Sequence, residues 1–210
     1  MQSIHSSKPM NFMSILGQLI VLSILWVLCC LPIVTIGAAS TALYYTVVKV
    51  LRRNTGSLFS SYFSAFRNNF SQSLHINMVF LTYFALLAYF SIPELLSRED
   101  GFTSAFYVIC GLAFAGLLPL SISYPVISRF YHKGTSLIRF LLLLTGRYPH
   151  VVISCALLIP VSIVLVLSNG AALLFIPGCT AYIQSLMLEP VFKKYSQNTE
   201  ASQYALWYDP

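Results

Sequence analysis

The sequence contains few charged residues. Asp, Glu, Lys and Arg make up 9% of its 210 residues, and hydrophobic residues make up 57%. A soluble globular domain carries about 25% charged residues, so this composition excludes a soluble domain and predicts an all-α polytopic membrane bundle. At about 20 residues per span, residues 1–210 form a single integral membrane domain of five to seven helices. The long apolar runs favour helices over strands.

Motifs for catalysis, ATP hydrolysis and metal binding are also missing. No H-E-x-x-H, G-x-S-x-G or Walker A motif occurs, and no E-A-A-x-x-x-G loop of an ABC permease. His75 and His150 stand at the cytoplasmic ends of predicted spans, and Glu189 stands at an inner end. The cysteines lack zinc-ligand spacing and are typical of small buried apolar residues: Cys29, Cys30, Cys110, Cys155 and Cys179. We therefore expect a non-enzymatic protein with no cofactor and no metal.

The net charge is +6, but the cations are not patterned for nucleic acid. Lys and Arg number four in 49–67, one in 94–102, four in 129–147, none in 168–170 and two in the C-terminal tail. Cations near spans mark cytoplasmic loops. The alternation predicts that 49–67, 129–147 (beginning with Arg129) and the C-terminus face the cytoplasm.

The chain is apolar from residue 12 to residue 51, except for turn-forming residues and Lys49. One interpretation is a hairpin in which 12–31 and 36–52 are separate spans, with Thr35 available to cap the second. The other is one long helix kinked at Pro32. The first gives six transmembrane helices and the second gives five. In both, the small residues Gly37, Ser40 and Thr41 allow close helix contact, and Tyr44 and Tyr45 follow one turn later.

An amphipathic segment follows at 58–70. Its aromatic residues recur at helical spacing, at Phe59, Tyr62, Phe63, Phe66 and Phe70, with Arg67 beside them. This pattern predicts a helix lying in the cytoplasmic interface or packed across the base of the bundle. With Lys49, Arg52 and Arg53, the aromatic side chains form a candidate contact surface for a partner protein or anionic lipid.

The remaining apolar runs predict spans at 74–93, 103–131, 149–167 and 171–188. Pro119 and Pro125 interrupt the second of these, and residues 137–147 form a second interfacial segment with Arg139 and Arg147. The order of features in 31–92 recurs in 118–167, which indicates either a weak internal repeat or a likeness of composition alone.

Three segments together resemble a known family. The run from Trp26 to Tyr45, W-x-L-x-x-L-P-I-V-T-I-G-A-x-S-T-A-L-Y-Y, precedes K-V-L-R-R and S-x-F-S-A-F-R-N-N-F, and the three together resemble the YesL-like family, a bacterial membrane domain of unknown function numbered 624. The resemblance is specific over residues 26–70. It implies a multi-pass protein of the bacterial cell membrane with a role beside carbohydrate ABC importers, and it implies no enzymatic activity.

Two functions remain open. The first is an accessory or regulatory membrane component that contacts ABC importer subunits or a membrane sensor protein. The second is a small transporter or facilitator for a neutral solute. We expect a transporter to contain a polar cavity lined by the ends of broken helices, and an accessory subunit to be close-packed there.

Overall fold

The computed structural model describes residues 12–96, 104–130 and 135–198, and these residues form helices and turns without a strand. The predicted tail at 1–11, most of the predicted loop at 94–102 and the C-terminal end lie outside these ranges. The helices are α1 (Phe12–Cys29), α2 (Ile36–Thr46), α3 (Leu58–Leu96), α4 (Ser104–Arg129), α5 (Thr135–Arg147), α6 (Pro149–Ser168) and α7 (Ile176–Asn198). Short 3-10 turns occupy Ile33–Thr35 and Gly170–Leu174, and a π-helical turn continues α2 over Val47–Arg52.

The chain breaks at Pro32, as the hairpin interpretation predicts. Helix α1 ends at Cys29, and α2 begins at Ile36 after the 3-10 turn. Thr35 stands at the predicted cap position but does not cap α2. Its hydroxyl lies 2.6 Å from the Cys29 carbonyl oxygen and 2.7 Å from that of Pro32, so it satisfies the end of α1 and closes the turn instead.

Among the described residues, four helical segments are long and apolar enough to cross a membrane: Ile33–Arg52, Leu58–Pro93, Ser104–Arg129 and Pro149–Ser168. The chain is therefore a helical membrane protein. Met13–Cys29 is apolar but shorter, and α7 is less apolar than the four. The count of six spans stays a prediction.

Helix α3 corrects the prediction of a separate interfacial helix at 58–70. It runs without interruption for 39 residues, which is about 58 Å at 1.5 Å per residue. No Gly or Pro stands between Phe70 and Leu74, and the polar residues there continue the helix. The amphipathic segment and the span at 74–93 are therefore one helix.

Two further predictions about local structure can be compared with the helices. The segment around Arg139 is a short separate helix, α5, whose buried face is Leu137, Phe140, Leu141 and Leu144. Pro119 and Pro125 do not end α4, which continues through both. Residues 58–92 lie in one helix, whereas 135–167 divide into α5 and α6; the internal repeat stays a prediction.

Helix α2 is the centre of the packing. Its residues Gly37–Ala39 and Thr41–Tyr44 are buried. One core cluster joins it to α1 and the start of α3 through Leu22, Val47 and Tyr62, and a second joins it to α4, α6 and α7 through Tyr44 and Ile122. A Cβ atom added to Gly37 would lie 2.9 Å from the Ser73 carbonyl oxygen. Helices α2 and α3 therefore approach each other closely at this small residue.

Candidate functional site

A cavity of about 510 Å³ lies where the two broken helix ends meet the longer helices. Its walls come from α2, α3, α4, α6 and α7, and the Trp26 ring of α1 also lines it. Ile33 of the first 3-10 turn, Leu173 of the second and Pro177 at the start of α7 contribute as well. This volume lies within the range of small-molecule sites, about 300–1,000 Å³.

Among the described residues, no charged one lines the cavity. Most of its surface is aliphatic or aromatic, with residues such as Leu43, Phe80, Phe84, Leu120 and Ile159, so the cavity is less polar than the one expected of a transporter. The polar groups are hydroxyls and amides, from Ser40, Tyr44, Asn77, Ser121, Tyr124, Ser162, Thr180 and Gln184, together with the Trp26 indole. Such a lining suits a neutral molecule, because an ion would lose its hydration without an opposite charge in return.

Asn77 holds the tip of the hairpin against α3 and α4. Its side-chain nitrogen donates to the carbonyl oxygens of Ile33, at 3.3 Å, and Val34, at 3.1 Å. The Tyr124 hydroxyl donates to the Asn77 side-chain oxygen at 3.0 Å. Backbone carbonyls released by a helix break are costly to leave unpaired in an apolar setting. Asn77 satisfies two of them and fixes the turn that forms one edge of the cavity.

Tyr44, which lines the cavity, is hydrogen-bonded to a buried ion pair. Its hydroxyl donates to Glu189 Oε1 at 3.1 Å. Arg129 Nε donates to the same oxygen at 2.8 Å, and Arg129 Nη2 at 2.5 Å. The Arg129 guanidinium carbon is 5.9 Å from the Tyr44 ring centre, as in a cation–π contact. The pair connects α4 and α7, and Tyr44 of α2 completes the junction.

The burial of this ion pair was not predicted from the sequence. The Arg129 side chain has no exposed surface, and 9% of the Glu189 side chain is exposed. Each charge tolerates burial because the other neutralises it and Tyr44 adds a hydrogen bond. Arg129 is thus buried although it is the last residue of α4, and the cytoplasmic position of 129–147 stays a prediction.

The predicted contact surface divides into exposed and packed side chains. Phe59 and Phe63 are 57% and 51% exposed, and Arg67 is exposed beside them. Phe66 and Phe70 are half-buried, with ring centres 5.5 Å apart. Tyr62 is fully buried. The aromatic residues thus do not form one exposed face.

The three predicted cations before α3 differ in the same way. Lys49 is half-buried, and its Nζ lies 3.3 Å from the Tyr45 hydroxyl and 5.3 Å from the Tyr45 ring centre. Arg52 Nη1 donates to the Ser185 carbonyl oxygen of α7 at 2.6 Å. Arg53 is exposed. We call Arg53, Phe59, Phe63 and Arg67 the basic–aromatic surface.

The residues predicted to serve in turns and packing lie close to the cavity. Pro32 is exposed in the turn, and Gly37 and Thr41 are buried against α3, where the Thr41 and Ser73 hydroxyls are 3.0 Å apart. Ser40 lines the cavity and accepts a hydrogen bond from the Trp26 indole at 3.1 Å. Pro125 lines it too, whereas Pro119 is half-buried outside its lining.

Sequence reasoning missed Asn77, Tyr124, Gln184 and the Arg129–Glu189 pair. Asn77 and Gln184 carried a usable signal, because an amide inside an apolar run has to find a partner or a cavity. The Arg129–Glu189 pair gave a weaker sequence signal, since each charge stands at the end of an apolar run and resembles an interface residue. The cysteine prediction holds for Cys155, which is buried, but not for Cys110, which is exposed.

Residues 19–90 match the protein family described as "Protein of unknown function, DUF624", the domain family that includes the YesL-like proteins. The match contains the hairpin, the whole of α2 and most of α3, so the predicted resemblance over residues 26–70 is confirmed. Comparison with the curated proteins and with the solved structures finds no match.

Proposed function

We propose that this membrane protein, whose residues 19–90 match the DUF624 family of proteins of unknown function, binds a neutral solute. It acts in this proposal as a small transporter or facilitator. The observation that carries the proposal is the cavity of about 510 Å³ between the broken helix ends. Both broken ends, at Ile33–Thr35 and Gly170–Leu174, lie beside residues of its lining. Broken helices around an internal site are typical of transporters.

The solute is neutral in this proposal. Within the part of the chain that the structure describes, its site contains hydroxyl, amide and indole groups and no charged side chain. The neighbouring Arg129 and Glu189 are engaged with each other. We also propose that the protein catalyses no reaction, because the carboxylate that accepts from the Tyr44 hydroxyl, Glu189, is paired with Arg129 and is therefore a poor base.

Filling the cavity tests this proposal. Ser162 of α6 lines the cavity, and its hydroxyl bonds only to the Ile159 carbonyl of its own helix, at 2.7 Å. We expect Ser162→Phe to abolish solute binding while the protein stays folded. The full chain in lipid nanodiscs is heated with neutral probes of three classes, maltose, glycerol and undecanol. A ligand at 100 times its Kd stabilises the folded state by about 2.7 kcal/mol, which raises the Tm.

Ser154→Phe is the matched control, because Ser154 lies on the same helix outside the cavity lining. The proposal requires a probe that raises the Tm of the wild type and of Ser154→Phe but not of Ser162→Phe. The probe that binds is then followed into proteoliposomes. If none of the three classes distinguishes Ser162→Phe from the wild type, solute binding in this cavity is wrong.

A second candidate function is supported by the basic–aromatic surface. Phe59 and Phe63 expose more than half of their surfaces next to the exposed Arg53 and Arg67. We propose that this surface faces the cytoplasm of a bacterial cell, together with the C-terminus, and contacts subunits of a carbohydrate ABC importer. The protein then acts as an accessory component of sugar uptake.

Sugar uptake in a deletion strain tests the accessory role. We expect deletion to reduce uptake when the importer is present and to have no effect when the importer is absent. Complementation with Phe59→Ser/Phe63→Ser is expected to fail, and complementation with Leu142→Ser/Leu143→Ser, which alters exposed apolar residues of α5, is expected to succeed. Equal complementation by both variants would exclude the basic–aromatic surface as the contact.

A further inference from the structure

We propose that the cavity takes a neutral amphiphile from the bilayer, an aliphatic chain with one hydroxyl or amide group, and that Gln184 recognises this group. The inference rests on the proposed binding function and specifies its ligand. It follows from the polar groups of the cavity, from the side chains at its rim and from the position of Gln184.

Most polar groups of the cavity are already engaged. The hydroxyls of Ser121, Ser162 and Thr180 donate to carbonyl oxygens of their own helices, at 2.7–2.9 Å. The Trp26 indole donates to Ser40, and the Tyr44 hydroxyl donates to Glu189. The Asn77 amide donates to the hairpin, and the Tyr124 hydroxyl donates to Asn77. Among the described residues, a ligand therefore meets few free donors, the Ser40 hydroxyl and the Gln184 amide.

This arrangement does not suit a free sugar. A sugar carries several hydroxyl groups, and each buried hydroxyl without a partner costs about 1–3 kcal/mol. Few of its oxygen atoms would find a donor in this lining. A chain of methylene groups, in contrast, gains about 0.8 kcal/mol for each group removed from water, and the aliphatic walls offer the contacts that it needs.

The rim of the cavity faces hydrocarbon. Ile33, Leu81, Ile163 and Leu167 line the cavity and are also exposed at the protein surface, by 60%, 41%, 54% and 80%. Leu81 and Ile163 belong to two of the helices that are apolar enough to cross a membrane. In a bilayer these side chains touch lipid, so a molecule dissolved in the lipid reaches the cavity without crossing a polar barrier.

Gln184 supplies the recognising group. It lines the cavity from α7 and is half-buried, and within the described part of the chain its amide makes no hydrogen bond. An amide offers both a donor and an acceptor, which matches one hydroxyl or one amide of a ligand. Glu189 lies five residues further along the same helix and is engaged by Arg129 and Tyr44.

Trp26 provides the signal for a binding experiment. The sequence contains two tryptophans, so replacement of Trp207 by Phe leaves Trp26, whose ring lines the cavity, as the single indole. The full chain in nanodiscs is titrated with 11-bromoundecanol, whose bromine quenches a nearby indole. Undecanol and undecane are then compared as competitors. We expect undecanol to compete about two- to tenfold better, the value of one neutral hydrogen bond.

Four variants decide the outcome. Gln184→Leu is expected to remove the preference for undecanol over undecane, and Gln18→Leu, the same change on α1 outside the lining, is expected to keep it. Ser162→Phe is expected to lose the quenching, and Thr180→Leu fills the cavity from α7 if Ser162→Phe does not fold. Equal quenching in the filled variant, or an unchanged preference in Gln184→Leu, overturns the inference.

Different results would contradict the proposed ligand class and the proposed binding function. If maltose displaces bromoundecanol or alone stabilises the wild type against Ser162→Phe, the cavity binds a solute but the amphiphile is wrong. If no probe distinguishes the filled variants from the wild type, the binding function itself is wrong.

Discussion

Two regions of the molecule are equally helical and differ in what surrounds them. The packed region consists of α2 and the parts of α3, α4 and α7 around it. Within the most apolar stretch of Ile33–Arg52, 61% of the residues are buried inside the protein. In the outer region, the second half of α3 and the first half of α4, Val79, Tyr89, Leu96, Tyr107 and Val108 are each more than 60% exposed.

Residue size explains the difference. Gly, Ala, Ser and Thr fill α2 from Gly37 to Ala42 and let other helices reach its backbone. Large residues such as Phe, Tyr and Leu occupy much of the outer region, and many of them are exposed. An apolar surface of that extent is not stable in water, so lipid has to cover it. The run of small residues thus marks the close helix contact at α2.

The largest expected effect on stability comes from breaking the buried ion pair of the packed region. Removing one partner of a buried pair costs about 3–5 kcal/mol, because the other charge stays buried without compensation. We therefore expect Arg129→Met to lower the free energy of unfolding by this amount in an SDS titration of the purified protein. Arg147→Met, at an exposed arginine of α5, is the control and should change it by less than about 0.5 kcal/mol.

The double variant Arg129→Met/Glu189→Leu sharpens the same prediction. Replacing both charges by apolar groups removes the unpaired charge, so we expect much of the lost stability to return. A double variant as unstable as Arg129→Met would contradict the assignment of the loss to an uncompensated Glu189.

Gly37→Ala is expected to have the next largest effect. Its Cβ atom would approach the Ser73 carbonyl oxygen to 2.9 Å and Asn77 Cβ to 3.0 Å, and overpacking of this kind costs up to about 3 kcal/mol. Gly111→Ala in the outer region is the matched control, since nothing lies within 4 Å of its added Cβ. There the better helix propensity of Ala should raise stability by up to about 1 kcal/mol.

Asn77→Leu is expected to lower the free energy of unfolding by about 2 kcal/mol, because it leaves the Ile33 and Val34 carbonyls without their donor. Asn69→Leu on the same helix is the control. Asn69 donates only to Ala65 of its own helix, at 3.0 Å. Equal losses for the two variants in the same titration would show that Asn77 does not hold the hairpin.

The smallest expected effect on stability comes from Val→Ala substitutions at the two ends of α4. Val126 is fully buried and Val108 is 61% exposed. Val126→Ala removes about 1.6 kcal/mol of burial and gains about 0.6 kcal/mol of helix propensity, so we expect a net loss of about 1 kcal/mol. Val108→Ala should be neutral or slightly stabilising. A larger loss at Val108 would indicate that protein, rather than lipid, covers the outer region.

Local features of the fold were predictable from the sequence. The helix break at Pro32, the close contact at Gly37 and the span over 149–167 each follow from residues near the feature itself. The continuity of α3 was not predicted, because the change from amphipathic to apolar at Phe70 resembles a boundary although no residue there breaks a helix. A helix ends where particular residues break or cap it, and a change of polarity alone does not end it.

The candidate site was less predictable because it depends on contacts between distant residues. Arg129 and Glu189 are 60 positions apart, and Asn77 reaches carbonyls more than 40 positions away. Charge counts along the chain assign a cation to a side of the membrane, but they do not show which cation is paired. Of the predicted contact residues, Lys49, Phe66 and Phe70 are half-buried and the other five are exposed: Arg52, Arg53, Phe59, Phe63 and Arg67. Arg52 also bonds to α7.

The length of α3 has a mechanical consequence. Phe59 and Phe63 stand at one end of this helix, and Phe80 and Phe84, in its other half, form part of the cavity wall. An α-helix behaves as a stiff rod over such distances. A tilt of about 5° about its first turn would move Phe84, about 39 Å along the helix, by about 3 Å. A contact that rotates α3 at the basic–aromatic surface would therefore move the wall of the cavity.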